Sequence, residues 1–340
     1  MPAEWAPQSG VQLTWPDGTT DWQPYLVAIT KTYIELADAI TRKEHLVIAA
    51  SDPDAVRACL EKVLSDEQMR RTRIYHCEIN DTWARDHGAL TMIDKDGNAK
   101  LLDFKFNGWG EKFAWEKDNA ITMSLYRQGS FRGTLENHGD FVLEGGSIES
   151  DGQGTIFTTA QCLLAPHRNQ PLEQADIEAK LKDFFDVRRI VWLHHGNLKG
   201  DDTDGHIDTI ARICPNDTIL YVGCRDKNDE QYSDFIELED ELVALKTIDG
   251  RPYRLLRLPM PTAMYDEDYR LPATYANFLV INGAVIMPTY GQEDNDKLAR
   301  KTIAEAFPGR EIIEIDASTV VRQHGSLHCL TMQYPEGVIK

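Results

Sequence analysis

Apolar residues recur three or four positions apart over Tyr25–Arg42, where Leu26, Ile29, Tyr33, Leu36 and Ile40 share one face, and this spacing predicts an amphipathic helix. Asp54–Leu64, Asp118–Arg127, Leu172–Phe185, Asp240–Lys246 and Asp294–Phe307 carry the same period. Between them lie short runs rich in β-branched and aromatic residues, which predict strands. They are Leu46–Ala50, Arg73–Ile79, Leu90–Ile93, Lys100–Phe106, Phe141–Ile148, Thr155–Thr158 and Arg189–Leu193. They continue with Ile207–Ile213, Thr218–Val222, Arg254–Leu258, Phe278–Ile281, Ala284–Met287, Glu311–Glu314 and Leu327–Gln333. A Rossmann sheet or an α/β barrel has nearly one helix per strand. Here strands outnumber helices by two to one or more, which predicts several small ββαβ-like units. No linker rich in Gly, Ser or Pro and no low-complexity tract divides the chain, so one closed α/β domain over residues 1–340 is expected.

Charge narrows the partners. The 340 residues hold 36 Lys+Arg against 55 Asp+Glu, a net charge of −19. That balance argues against a nucleic-acid footprint and against an anionic membrane surface, and it fits a cationic ligand or plain solubility. No run of 18 apolar residues is present, and Met1–Gln8 lacks the basic and apolar regions of a signal peptide. The six cysteines are scattered without a C-x-x-C pair, as in a reducing cytoplasm. Five of them read as small core residues, and Cys329 stands apart.

Phosphate-binding, Rossmann, serine-hydrolase and zincin motifs are all absent. Polar residues concentrate instead in four loop-like segments: Asn80–Gly88, Leu143–Ile148, Gly200–Thr209 and His324–Cys329. Gly200–Ala211 fails as an EF-hand, because Gly200 and Ala211 occupy the two positions that need acids. A zinc site would draw on His194, His195, His206, Asp208, His324 and His328. His324 and His328 align only on a helix, which Gly325 and Ser326 disfavour. A nucleophilic reading uses the same residues better: Cys329 beside His328, with His206-x-Asp208 on one face of a strand as proton carrier and carboxylate. Asp86, Glu144, Asp204 and Asp208 would suit a guanidinium or amine, with Trp83 and Trp109 as walls. A buried core Cys329, a capping His206 and solvated turn carboxylates are the alternative.

At these segments the chain resembles the agmatine deiminase family, which includes bacterial peptidylarginine-deiminase-like proteins. The likeness runs from Met1–Trp5 and Thr14–Pro16 through Asn80–Asp86, Leu143–Ile148 and Thr203–Asp208. It goes on through Tyr275–Phe278 and Asn282–Ile286 to His328-Cys329. The resemblance implies a pentein fold, five ββαβ-like units about a pseudo-fivefold axis, with no metal and no organic cofactor. It implies Cys329 as nucleophile and His206 as general acid/base. Asp86 and Asp208 would grip the guanidinium, Glu144 would line the pocket, and Trp83 and Asn277 would complete it. It further implies deimination of agmatine, with free or peptidyl arginine, a non-catalytic polyamine binder and a metalloprotein as the competing readings; a homodimer is compatible with all. The chain departs from the family in two places. Gln323-His324-Gly325-Ser326-Leu327 replaces the usual Gly-Gly-Gly-Asn stretch before His-Cys, and Glu149 stands where His is common.

Overall fold

The computed structural model describes all 340 residues, Met1–Lys340, and pairs its strands by one repeated rule. The chain begins with β1 (Gln8–Thr14), β2 (His45–Ala50) and β3 (Thr72–His76). A second group holds β4 (Leu90–Ile93), β5 (Ala99–Lys105) and β6 (Thr134–Val142). A third holds β7 (Ile148–Ser150), β8 (Thr155–Thr159) and β9 (Arg189–Leu193). A fourth holds β10 (Ala211–Cys214), β11 (Thr218–Gly223) and β12 (Arg254–Pro259). After a hairpin of β13 (Met264–Asp266) and β14 (Tyr269–Leu271) come β15 (Leu279–Ile281), β16 (Ala284–Thr289) and β17 (Glu311–Asp316). Finally β18 (Thr331–Pro335) returns to pair antiparallel with β1.

In each group the first strand runs antiparallel to the second and the second parallel to the third. With β18 as first strand, β18–β1–β2 obeys the same rule and β3 extends it. An antiparallel step needs only a turn; a parallel return needs a crossover, usually helical. The turn Asn282-Gly283 joins β15 to β16, with Gly283 at φ 72°. The crossovers carry the helices. α1 (Leu26–Thr41) lies between β1 and β2, and α2 (Pro53–Leu60) and α3 (Asp66–Arg71) between β2 and β3. α4 (Ile121–Arg127), α5 (Gln174–Phe185), α6 (Tyr232–Ala244) and α7 (Glu293–Ala306) serve the other four groups. Five ββαβ-like units are therefore present, as the strand excess predicts. α1 buries Ile29, Tyr33, Leu36 and Ile40, the face its period marks out.

The differences have physical reasons. β1 carries Gln8, Gln12 and Thr14 among its apolar residues, so its pattern hides a central strand; flanked by β2 and β18, it buries those polar residues too. The run Phe141–Ile148, expected as one strand, breaks at Gly145–Ser147 into a 3-10 turn, with β6 before it and β7 after it. Ile207–Thr209, expected in a strand, is also a 3-10 turn, and β10 starts at Ala211. α6 begins at Tyr232, because Phe235 and Leu238 extend its buried face toward the N-terminus. No helix is long and apolar enough to cross a membrane.

Candidate active site

Each unit delivers one or two polar side chains from the residues just before its first strand. Asp86 precedes β4, Glu144 precedes β7, and His206 and Asp208 precede β10. Asn277 precedes β15 and Cys329 precedes β18. All six are buried. The repeat of the fold thus explains why residues spread over some 240 positions meet. The backbone makes the meeting tight. Gly146 N–H donates to Asp86 Oδ1 at 2.9 Å, and Arg85 N–H donates to the Cys329 carbonyl at 3.2 Å. Asn277 Oδ1 accepts the Cys329 N–H at 3.1 Å. Asn277 therefore fixes the backbone of Cys329.

Asp86 sits on a helical turn, Ala84–His87. The turn sends neighbouring side chains apart: Arg85 Nε donates to the His328 carbonyl at 3.4 Å, while Asp86 faces His206. Asp86 Oδ2 accepts the Trp109 Nε1–H at 3.0 Å, and its Oδ1 lies 3.6 Å from His206 Nδ1. Trp109 is buried at φ 56°, a left-handed conformation costly for a bulky residue, and Gly108 and Gly110 beside it also have positive φ.

A Cβ placed on Gly146 would stand 2.6 Å from His206 Nδ1, 2.9 Å from Asp86 Oδ1 and 3.1 Å from Asp208 Oδ2. Three functional side chains converge where this glycine has none. Neither ring nitrogen of His206 has a hydrogen-bond partner, nor do Asp208 Oδ1 and Glu144 Oε2. Buried polar atoms are rarely left so, and here they face the centre that a polar ligand would complete. Glu144 Oε1 is held by Arg168 Nε at 2.8 Å.

Burial, followed by the Asp208 and Asp86 charges, pushes the Cys329 thiol well above its ordinary value. Burial would lower the His206 imidazole, but Asp86, Cys162 and Glu144 outweigh it and the group lies well above its usual range. Burial likewise opposes ionisation of Asp208, yet the His328 hydrogen bond and charge hold its carboxyl below the usual value. At rest the centre therefore holds a neutral thiol, an imidazolium and buried carboxylates.

Cys329 opens onto a cavity of about 150 Å³. Trp83, Trp109 and Phe113 form its apolar walls, and Asp21, Asp81, Asp86, Asp201 and Asp202 supply its charge. No Lys or Arg lines it. Lys112 is taken up by Asp204 Oδ1 and the Asp202 carbonyl, each at 2.7 Å, and Lys105 lies over the Trp115 ring at 5.2 Å. Asp204, which the sequence offers as a partner for a guanidinium, does not line the cavity: Lys112 and Arg168 Nη1, the latter at 2.8 Å, take up its carboxylate. Burial and the Asp201 charge push Asp202 up to about 6, with His324 opposing them. In the segment that departs from the family, Gly325 is kept, and a Cβ there would stand 2.1 Å from the Trp83 ring.

Three of the six candidate zinc ligands lie elsewhere: His194 pairs with Glu241, His195 with Asp234, and His324 Nδ1 with the Gly200 carbonyl, while His206, Asp208 and His328 come together. Residues the sequence reading passed over also shape the site. Cys162 lies with Glu144 and His206 in one buried cluster. Arg168, in the polar run before Pro171, anchors Glu144. Glu4 and Arg212 reach His328 from below.

Five ββαβ-like units that converge on a buried thiol, histidine and carboxylates define a pentein. The chain belongs to the Porphyromonas-type peptidyl-arginine deiminase family, whose model it matches over residues 1–335. It is 30% identical to the agmatine deiminase of Stutzerimonas stutzeri over 100% of this chain and 96% of that one. Among solved structures, a Porphyromonas gingivalis protein provisionally assigned as an arginine deiminase is 48% identical, with a TM-score of 0.94 over 100% and 99% of the two chains. The C. jejuni agmatine deiminase, in a cysteine-to-serine variant with substrate bound, is 37% identical, with a TM-score of 0.91 over 99% and 96%.

Proposed function

We propose that this protein hydrolyses the guanidinium of agmatine to N-carbamoylputrescine and ammonia through a covalent amidino-cysteine. The observation that carries the reading is the cavity: Cys329 and Asp86 line it together, Asp208 meets Asp86 at Gly146, and Asp21, Asp81, Asp201 and Asp202 line the rest with no Lys or Arg among them. Agmatine is a cation at both ends and matches both. The reading places the enzyme in the cytoplasm, in keeping with six unpaired cysteines.

Asp86 and Asp208 bind the planar guanidinium, the free Oδ1 of Asp208 accepting one N–H. The bound cation offsets the two charges that hold the Cys329 proton, so the thiol releases its proton to solvent as substrate arrives. The thiolate attacks the central carbon and forms a C–S bond. His206, as imidazolium, gives its proton to one nitrogen, and ammonia leaves. The amidino-cysteine that remains carries one positive charge, which the same carboxylates stabilise. Neutral His206 then takes one proton from water as its oxygen attacks; the adduct loses its hydroxyl proton to solvent as the C–S bond breaks, the thiolate is regenerated and the urea product departs. Glu144, fixed by Arg168, favours the protonated form of His206. Asn277 fixes Cys329, and Trp83 and Trp109 flank the alkyl chain.

A second reading, free arginine as substrate, is favoured by the assignment of the 48%-identical P. gingivalis protein. Acid-quenched mass spectrometry tests the chemistry common to both. With agmatine, the tryptic peptide that contains Cys329 should gain one amidino group while ammonia accumulates in proportion to the urea product. A Cys329→Ser variant that keeps near-parental turnover would end this reading.

A further inference from the structure

His328 is the immediate neighbour of the nucleophile, yet its ring points away from the cavity. Its Nδ1 lies 2.7 Å from Asp208 Oδ2 and its Nε2 lies 2.9 Å from Glu4 Oε2. Ionised carboxylates only accept hydrogen bonds, so an imidazole that holds both at once carries both protons, whereas a neutral ring would hold Asp208 alone and take Arg212 Nη2 as the donor to Nε2. Local charge agrees. Glu4 from the N-terminal segment, Asp208 from the turn before β10 and Glu149 from β7 bring three negative charges to His328. Arg212 from β10 and Arg85 from the turn before β4 supply two positive ones. An imidazolium at His328 closes the balance. Arg212 Nη2 stands 3.2 Å from His328 Nε2 because both hold the one Glu4 carboxylate.

Glu4 is itself anchored for this task. Its Oε1 accepts the Val280 N–H at 2.7 Å, and its side chain is 8% exposed. Burial alone would favour its neutral form, but Arg212 and His328 hold the carboxyl well below the usual range.

We infer that Glu4 is a positioning residue of the active site: through His328 it keeps Asp208 anionic and oriented, with Oδ1 free for the guanidinium. This rests on the proposed role of Asp208. The link runs from the fourth residue of the chain to Asp208 in two hydrogen bonds and to the substrate in a third, and it makes the N-terminal segment part of the catalytic unit.

The test is Glu4→Gln, with Glu4→Asp as the charge-preserving control. The ring nitrogens of His328, read by ¹⁵N NMR on the full chain at pH 8, should report imidazolium in the parent and in Glu4→Asp. In Glu4→Gln the anionic partner of Nε2 is gone, so the ring should read neutral, its one proton on Nδ1 towards Asp208. In parallel, kcat/KM of Glu4→Gln for agmatine should fall about tenfold, with its alkaline limb shifted to lower pH, and Glu4→Asp should recover most of it. A neutral His328 in the parent overturns the inference even if Glu4→Gln cannot be folded. So does a Glu4→Gln enzyme with parental kcat/KM and pH profile. A parent without activity on agmatine is a different failure, that of the proposed function, and leaves the NMR result interpretable.

Discussion

The thiol of Cys329 at rest is the wrong species for attack. Burial and two carboxylates favour its neutral form, and in the proposed mechanism the substrate's charge reverses that preference. This ties nucleophile activation to guanidinium binding and protects the thiol when the site is empty. It also separates two effects of one mutation. Asp208→Asn removes a carboxylate that raises the thiol, so Cys329 should become alkylated by iodoacetamide at lower pH than in the parent. The same change removes a charged hydrogen bond to substrate worth about 1.5–3 kcal/mol, so kcat/KM should fall tenfold to a hundredfold or more. Reactivity and turnover moving in opposite directions is the signature. If both fall together, the carboxylate is supporting the thiolate, and the electrostatic account of the resting state is wrong.

The site is assembled from turns, and turns are where the sequence pattern was least informative. The helices around the periphery and most strands follow from periodicity, because each buries one regular face. The segments Leu143–Ile148 and Ile207–Thr209 have the apolar content of strands, and the pattern reads them so. Gly145-Gly146 and the Thr209 hydroxyl, which donates to the His206 carbonyl at 2.7 Å, favour tight turns instead. The residues that meet at the centre were nonetheless legible as candidates, because Asp86, Glu144, His206, Asp208 and Cys329 lie in dense polar clusters beside glycine. The supports were not: Glu4, Arg168 and Arg212 are distant in the chain and ordinary in type, and only three-dimensional pairing gives them a role. Gly146 is the sharpest test at this scale. An alanine there places a methyl against His206, Asp86 and Asp208 at once. Gly146→Ala should retain the parental melting transition within a few degrees and lose at least a hundredfold in kcat. A fully active Gly146→Ala enzyme would mean that the three side chains do not converge there during turnover.

At the scale of the whole molecule, five copies of one pairing rule each contribute a loop to a common centre, and β18 closes the set on β1. We infer from that closure that residues 1–340 act as one domain. The net charge of −19 surrounds the site with a field that draws dications more strongly than zwitterions. The cavity mouth sharpens the preference locally. Arginine would bring its α-carboxylate towards Asp21, Asp201 and Asp202 with no cation in the wall to receive it. One such unpaired charge costs on the order of 3 kcal/mol, about a hundredfold in kcat/KM. The most direct test of agmatine as the substrate is therefore the ratio of kcat/KM for agmatine to that for arginine, measured at low and high salt. A ratio above about a hundred at low salt is expected. It should fall at high salt as the long-range field is screened, and stay above about ten because the acids at the mouth are partly buried. A ratio at or below one would contradict the account and assign the pocket to arginine.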